Sequence, residues 1–131
     1  MLKTKSVYST IDRKADGLRI LATRFRGRGL KASRYDVWMG SLGPSERLLK
    51  ALRQKRITWA QFERDYREEL FRNGGADSGN KIIKNHGQKF TLRLIRKLAK
   101  SGHVTPMCHC PKTKKKCNRH LLRDFILSNK V

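Results

Sequence analysis

The alternation of apolar and polar positions along this 131-residue chain predicts short strands separated by amphipathic helices. Leu18–Thr23 is the clearest strand, because it is short and apolar and follows an Asp-Gly turn. A weaker alternation predicts an earlier strand over Val7–Ile11, and the apolar run His103–Cys110 predicts a later one. Pro106 argues against a fully paired central position for that later strand, because proline donates no backbone hydrogen bond.

Four segments have the three- and four-residue apolar spacing of helices. A first helix is expected from about Pro44, since proline is tolerated in a first turn. The second is marked by a capping box of Thr58 and Gln61 and by the stripe that follows it. Its apolar residues are Trp59, Phe62, Tyr66 and Leu70.

A third helix is predicted over Phe90–Lys100 and a fourth over Cys117–Leu127. The apolar face of the third helix is expected to hold Phe90, Leu94, Ile95 and Leu98. Trp38 is expected to anchor an apolar connector, and the glycine-rich segment Asn73–Asn80 is expected to be a flexible loop. Strands alternating with helices predict one α/β domain over residues 1–131, a small sheet with helices on both faces.

The strong positive charge of the chain limits the classes of molecule that it is expected to bind. Thirty-two Lys and Arg against ten Asp and Glu give a net charge of +22. Residues 1–40 carry ten basic and three acidic side chains, whereas residues 81–131 carry fourteen basic side chains and one acid, Asp124. No stretch approaches the roughly 20 apolar residues of a membrane span, and the N-terminus has no apolar leader core. The pattern therefore predicts a cytoplasmic protein with no membrane contact that binds a polyanion.

Two basic segments are the candidate nucleic-acid contacts. The loop "RFRGRGLKAS" combines arginines, which match phosphate oxygens bidentately, with glycines that let the backbone approach a phosphate, and Phe25 could stack on a base. The lysine-rich tip before the last helix offers mobile point charges for a phosphate backbone. With the basic face of the third helix, the predicted RNA contacts are Arg24, Arg26, Arg28, Lys31, Arg34, Lys89, Arg93, Arg96, Lys97, Lys112, Lys114, Lys115, Lys116 and Arg119. A solvated basic loop with no partner is the plain alternative.

Cysteine and histidine converge near the same tip. Cys108, Cys110, Cys117 and His120 form C-x-C-x6-C-x2-H, which could satisfy a tetrahedral zinc ion, with His109 as a spare ligand. The alternative is a set of small buried thiols with no metal. A third possibility is catalysis, since a helix N-terminus beside Lys116 could lower the pKa of Cys117. However, only Asp124 is available to orient a histidine base.

The runs "DGLRILATRFRGRGL" and "YDVWMGSLGPSERLLKALRQKRITWAQFERDYREEL" resemble the domain of unknown function 488 family, whose YeaO-like members are small prokaryotic proteins. The late segment "CHCPKTKKKCNRHLL" is similar to that family's Cys followed by C-H-R-x-x-L. The resemblance implies an α/β three-layer fold but no settled activity. This chain departs from the family pattern at Thr23, Arg26, Gly27 and Asn118. An acid, an aromatic and a histidine are thereby missing from the edge where α/β proteins bind ligands.

Together these observations predict a non-catalytic RNA-binding protein of a prokaryote. Its small size, its charge and its two basic ends are typical of a ribosomal or ribosome-associated protein that neutralises rRNA phosphates. Neighbouring ribosomal proteins of a subunit are then the expected protein partners. No helix-turn-helix or finger pattern favours sequence-specific DNA binding. The alternative is a nucleic-acid-processing or thiol-dependent enzyme that uses the Cys108–His120 region.

Overall fold

The computed structural model describes residues 1–72, 82 and 87–131. A parallel four-stranded sheet in the order β1-β4-β2-β3 forms its centre. The strands are β1 Lys5–Ser6, β2 Leu18–Leu21, β3 Val37–Trp38 and β4 Val104–Cys108. The helices are α1 Arg13–Asp16, α2 Glu46–Arg53, α3 Trp59–Phe71, α4 Lys89–Ser101 and α5 Asn118–Leu127, with two 3-10 turns at Ala32–Arg34 and Gly40–Leu42. The predicted α/β class is confirmed.

Local signals located most elements correctly. The strand predicted over Leu18–Thr23 is β2, and the capping box of Thr58 and Gln61 begins α3 with both reciprocal hydrogen bonds in place. The prediction of a strand over Val7–Ile11 is wrong, because the chain turns back after β1 when Ser9 N–H bonds to Ser6 O. The loop predicted at 73–80 lies outside the described residues.

The expectation that Pro106 keeps its strand from the centre is also wrong, since β4 pairs with both β1 and β2. The backbone groups of alternate strand residues point to opposite neighbours. Val104 exchanges hydrogen bonds with the segment before β1, so Pro106, two residues on, also turns its backbone toward β1. The missing N–H therefore faces a two-residue edge strand, where few ladder hydrogen bonds are lost.

The larger core lies between one face of the sheet and the helices α2 to α5. Ile20 and Val104 of the sheet pack there with buried Phe62, Leu92 and Phe125 of three helices. The opposite face carries Arg19, Leu21, Thr105 and Met107 and is covered by the segments around α1 and the first 3-10 turn. Across the described residues, no helix has the length and apolarity to cross a membrane.

The apolar face predicted for the third helix is largely wrong. α4 buries Leu92 and Ile95, while Phe90, Leu94 and Leu98 are 46%, 58% and 42% exposed. Apolar residues occupy two adjoining arcs of this helix, so spacing alone does not decide which arc faces the core. The structure places the arc of Leu92 and Ile95 against the main core.

Candidate functional site

The carboxyl ends of all four parallel strands meet at one edge of the sheet, where α/β proteins commonly bind ligands. Cys108 ends β4, Cys110 follows it, and Cys117 occupies the N-cap position of α5. Their three sulfur atoms lie within 4.8 Å of one another, and the sulfurs of Cys108 and Cys117 are 2.8 Å apart. The three cysteines predicted as ligands are therefore brought together and could hold a metal ion.

Neither histidine predicted as a ligand joins this group in the described structure. The Nε2 atom of His120 lies 3.3 Å from Lys114 O, so its ring faces the lysine tip. The Nε2 atom of His109 lies 3.1 Å from Phe25 O and 3.4 Å from Thr23 Oγ1, toward the loop after β2. Of the four ligands predicted from C-x-C-x6-C-x2-H, the three cysteines therefore lie together and His120 does not join them.

Arg119 lies under the cysteines and is only 2% exposed. Its guanidinium donates hydrogen bonds to Cys108 Sγ at 2.9 Å and to the carbonyl oxygens of Cys110, Pro111 and Lys112. Arg119 was predicted to contact RNA, but its side chain faces sulfur and backbone in the interior. Its positive charge stabilises a thiolate and holds the loop after β4 in place.

Hydrogen bonds within the cluster separate the pKa values of its thiols. Hydrogen bonds from Cys108 and Cys117 lower the pKa of Cys110, and the positive charges of Lys114 and Arg119 act in the same direction. The hydrogen bond that Cys108 shares with Cys110 raises the pKa of Cys108, as do its bond to Cys117 and its burial. The thiol with the lowered pKa is therefore that of Cys110, the most accessible of the three.

Two cavities open beside Cys110. One, of about 160 Å³, is lined by Thr23, Arg24, Phe25, Pro44, Leu49, Cys108, His109, Cys110 and Asn118. The other, of about 280 Å³, is lined by Arg53, Lys114, Lys116, Cys110, Cys117 and apolar residues of α2 and α3. A ligand in either cavity would contact Cys110, and Arg24, Arg53, Lys114 and Lys116 supply positive charge to the lining.

The arginines of the basic loop are partly used as internal ties. Arg24 donates to Gly43 O at 2.8 Å and to Pro44 O at 3.1 Å, and Arg26 donates to Leu30 O at 2.9 Å. Arg34 donates to Ser9 O at 3.2 Å. Because carbonyl oxygens carry no net charge, these hydrogen bonds hold the shape of the loop without neutralising the positive charge of the guanidinium groups. Arg28 and Lys31 are exposed.

The remaining predicted contacts divide between the tip and α4. The residues Lys112, Lys114, Lys115 and Lys116 are all exposed. On α4, Arg93 and Lys97 are exposed and Lys89 is half-buried, whereas Arg96 donates to Ser128 O and Val131 O at the chain end. The tip adjoins the cysteine cluster, since Lys114 and Lys116 line the larger of the two cavities beside Cys110.

A family model described as DUF488-N3a, the active DUF488-N3 subclade, matches residues 2–130. The chain belongs to this family. The resemblance to the domain of unknown function 488 family is thereby confirmed. Comparison with curated proteins and with solved structures found no match.

In this DUF488-N3a protein, the positions that depart from the family pattern gather at the carboxyl edge. Thr23 contacts the His109 ring, and a Cβ atom on Gly27 would come within 2.6 Å of it. Asn118 Nδ2 donates to Ala22 O just after β2 at 3.2 Å, and Arg26 reaches the Tyr35 hydroxyl. Thr23, Arg26 and Gly27 lie in the segment after β2, and Asn118 joins them at this edge from the start of α5.

Sequence reasoning missed several residues of this edge. Trp38 was expected to be an apolar anchor, yet it is 45% exposed and its Nε1 donates to Thr23 O at 2.8 Å. Tyr8 is 60% exposed beside His109, and Arg53 lines the cavity at Cys110. No sequence signal located Tyr8 at this edge, because the strand predicted over Val7–Ile11 placed it inside a strand and not after one.

Proposed function

We propose that this protein binds nucleic acid, chiefly RNA, through phosphate contacts around the carboxyl edge of its sheet. The observation that supports this is a concentration of unbalanced positive charge. Among the described residues, no acidic side chain lies within 4.0 Å of a cation in the loop 24–34 or the tip 112–116. Bringing phosphates to such a surface releases counterions and relieves repulsion between the cations.

The lysine tip supplies a matched pair of variants for a test. Lys114→Gln with Lys116→Gln removes two charges beside the cavity at Cys110. Arg56→Gln with Arg64→Gln removes two charges near the acidic residues of α3, and Arg56 lines a separate cavity with Asp65, Glu68 and Glu69. We expect the first variant to bind a single-stranded RNA oligonucleotide more weakly, with a slope of log K against log salt that is smaller by about 0.7 per lost phosphate contact.

The control variant should bind like the parent protein. Equal weakening in both variants would mean that binding depends only on the net charge of the protein, and it would contradict a site at this edge. Absence of any RNA binding at 50 mM salt would overturn the proposal. In its narrower form, with the ribosome as the RNA particle, the proposal expects co-sedimentation with ribosomes in low salt and release in high salt. A protein that stays in the supernatant in low salt would contradict this form.

A second candidate function is metal-dependent chemistry on the bound polymer, centred on the three cysteines. The observation that favours it is a group of three sulfurs beside an open cavity, since catalytic zinc sites use three protein ligands and leave one position for water. Such an ion would supply an activated water next to the phosphate-binding surface.

The donor set suits zinc after a small movement. Two sulfurs that bind one zinc at about 2.3 Å in a tetrahedral site lie nearly 4 Å apart, so Cys108 and Cys117 would separate by about 1 Å from their present 2.8 Å. Three thiolates and Zn²⁺ leave one negative charge, which the Arg119 guanidinium would balance at Cys108.

Metal analysis separates this candidate from the four-ligand site expected from the sequence. Cys110→Ser should lower the zinc content of protein purified without chelator well below one equivalent, and His120→Ala should leave it unchanged. Loss of zinc in His120→Ala would restore His120 as a ligand. Zinc below a tenth of an equivalent in the parent protein, even after incubation with the ion, would overturn the candidate.

A further inference from the structure

A ring-bearing side chain stands at the carboxyl end of each strand. Trp38 is the last residue of β3, and His109 directly follows β4. Tyr8 comes two residues after β1, and Phe25 comes four residues after β2. Because the spatial order of the strands is β1-β4-β2-β3, the rings run along the edge in the order Tyr8, His109, Phe25, Trp38. We call these four side chains the aromatic row.

Contacts between neighbours hold this row together. The ring centroids of Tyr8 and His109 are 6.2 Å apart. His109 Nε2 lies 3.1 Å from Phe25 O, and Thr23 Oγ1 donates to the same carbonyl oxygen at 2.6 Å. Trp38 Nε1 donates to Thr23 O at 2.8 Å, which ties the last ring to the same segment. The polar atoms of His109 and Trp38 are thus used for positioning, while Tyr8, Phe25 and Trp38 stay partly exposed.

The three large rings are far more exposed than the aromatic side chains of the main core. Tyr8, Phe25 and Trp38 are 60%, 53% and 45% exposed, whereas Phe62, Tyr66 and Phe125 of the main core are at most 2% exposed. A tyrosine, a phenylalanine and a tryptophan kept in solvent on one edge form a surface suited to stacking with flat ligands.

We propose that the nucleic acid bound by this protein is single-stranded and that its unpaired bases stack on the aromatic row. This inference rests on the function proposed above and specifies the class of ligand. A duplex exposes only its backbone and the edges of its bases, whereas unpaired bases can splay out and stack on aromatic rings. Strands about 4.8 Å apart give the row a length of roughly 15 Å, enough for several nucleotides.

Positive charge flanks the row where the sugar-phosphate backbone would run. Lys112 shares a groove of about 630 Å³ with Tyr8 at one end of the row. Arg28 and Lys31 are exposed on the loop that follows Phe25, the third ring of the row. Sequence-tolerant single-strand binding sites combine aromatic rings that stack on bases with nearby cations that contact the phosphates.

Fluorescence of Trp38 gives a direct measure of stacking. The chain has two tryptophans, so a Trp59→Phe background leaves Trp38 as the only one. Trp59 stacks on Phe62 with centroids 5.1 Å apart, and phenylalanine preserves a ring at that contact. In this background a 12-nucleotide single-stranded RNA should quench the emission at saturation. A duplex of the same sequence should bind more weakly and quench little.

Affinity measurements on ring variants complete the test. Phe25→Ala and Trp38→Ala should each weaken single-strand binding by about 5- to 150-fold, the loss expected for one stacked base, with the salt slope unchanged. Phe25→Tyr and Trp38→Phe keep a ring and should bind within a few-fold of the parent, which separates stacking from any effect on folding. Duplex affinity should be the same in all four variants.

The outcomes distinguish this inference from the function on which it rests. If RNA binds but the alanine variants retain the parent affinity, or the duplex binds as tightly as the single strand, the aromatic row is not a stacking surface, and phosphate binding still stands. If no nucleic acid binds in low salt while all proteins are folded by circular dichroism, both proposals are overturned.

Discussion

Arg119 donates a hydrogen bond to Cys108 Sγ at 2.9 Å, and both side chains are buried, at 2% and 1% exposure. This pair joins the start of α5 to the end of β4 and places a permanent positive charge beside three thiols. The same guanidinium reaches three backbone carbonyls of the segment 110–112. A residue that sequence reasoning assigned to RNA is therefore a structural support of the cysteine cluster.

Replacing Arg119 with Lys should destabilise the protein by roughly 2–4 kcal/mol, because an ammonium group has no planar fork to reach sulfur and three carbonyls at once. Equilibrium unfolding in urea measures the loss. Arg123→Lys is the control, since Arg123 is more exposed and is paired at 3.8 Å with Asp124. Equal stability of the two variants would contradict the buried role of Arg119.

Gly17 and Gly29 allow the effect of backbone shape to be separated from that of space. Both have positive φ values, 61° and 77°. A Cβ on Gly17 would lie 2.0 Å from His103 O, whereas a Cβ on Gly29 meets nothing within 4 Å. Gly29→Ala should cost about 1 kcal/mol for the left-handed backbone alone.

Gly17→Ala should cost clearly more than this, because the turn before β2 must also move away from the segment that leads into β4. Thermal unfolding of the two variants provides the comparison. A lower melting temperature for Gly29→Ala than for Gly17→Ala would show that the close approach of Gly17 to His103 is not present in the folded protein.

Asp16 should make stability depend on pH below neutrality. Burial alone would raise the pKa of Asp16, but hydrogen bonds from Lys5, Asp12 N–H and Lys3 hold it below its ordinary value. A lowered pKa in the folded state means that the stabilisation is complete above the unfolded value of about 3.9 and is lost as pH falls through the folded value.

Asp16→Asn should therefore cost roughly 2 kcal/mol at pH 7, since the charged acceptor of Lys5 at 2.9 Å and Lys3 at 3.1 Å is removed. The difference from the parent should shrink as pH falls below about 4. Urea unfolding at several pH values measures this, with exposed Asp124→Asn as the control. A constant difference across the pH range would mean that Asp16 is not stabilised as a carboxylate.

Local chemistry in the sequence was enough to predict β2, the capped start of α3 and the α/β class, because turn dipeptides, capping boxes and short apolar runs act within a few residues. The convergence of Cys108, Cys110 and Cys117 was also predictable, since ten residues span all three. Features set by distant contacts were not predictable. The role of Arg119 depends on the path of the loop before it, and the exposure of Trp38 depends on β3 being an edge strand.

The position of Pro106 shows the same limit. Its effect depends on which neighbour its missing N–H faces, and the sequence does not contain the strand order. Likewise, the aromatic row exists only because four strands end together, although Tyr8, Phe25, Trp38 and His109 are far apart in the chain. The order of the strands in the sheet, and not the residue types alone, determines which side chains meet at this edge.

The two apolar arcs of α4 permit the sharpest test of the packing. Leu92 is fully buried, whereas Leu94 is 58% exposed, although spacing in the sequence favoured Leu94 as the core residue. Leu92→Ala should cost about 2–5 kcal/mol because it leaves a cavity in the main core. Leu94→Ala should change the free energy of unfolding by less than about 0.5 kcal/mol. Urea unfolding of both variants decides, and the reverse ranking would return Leu94 to the core.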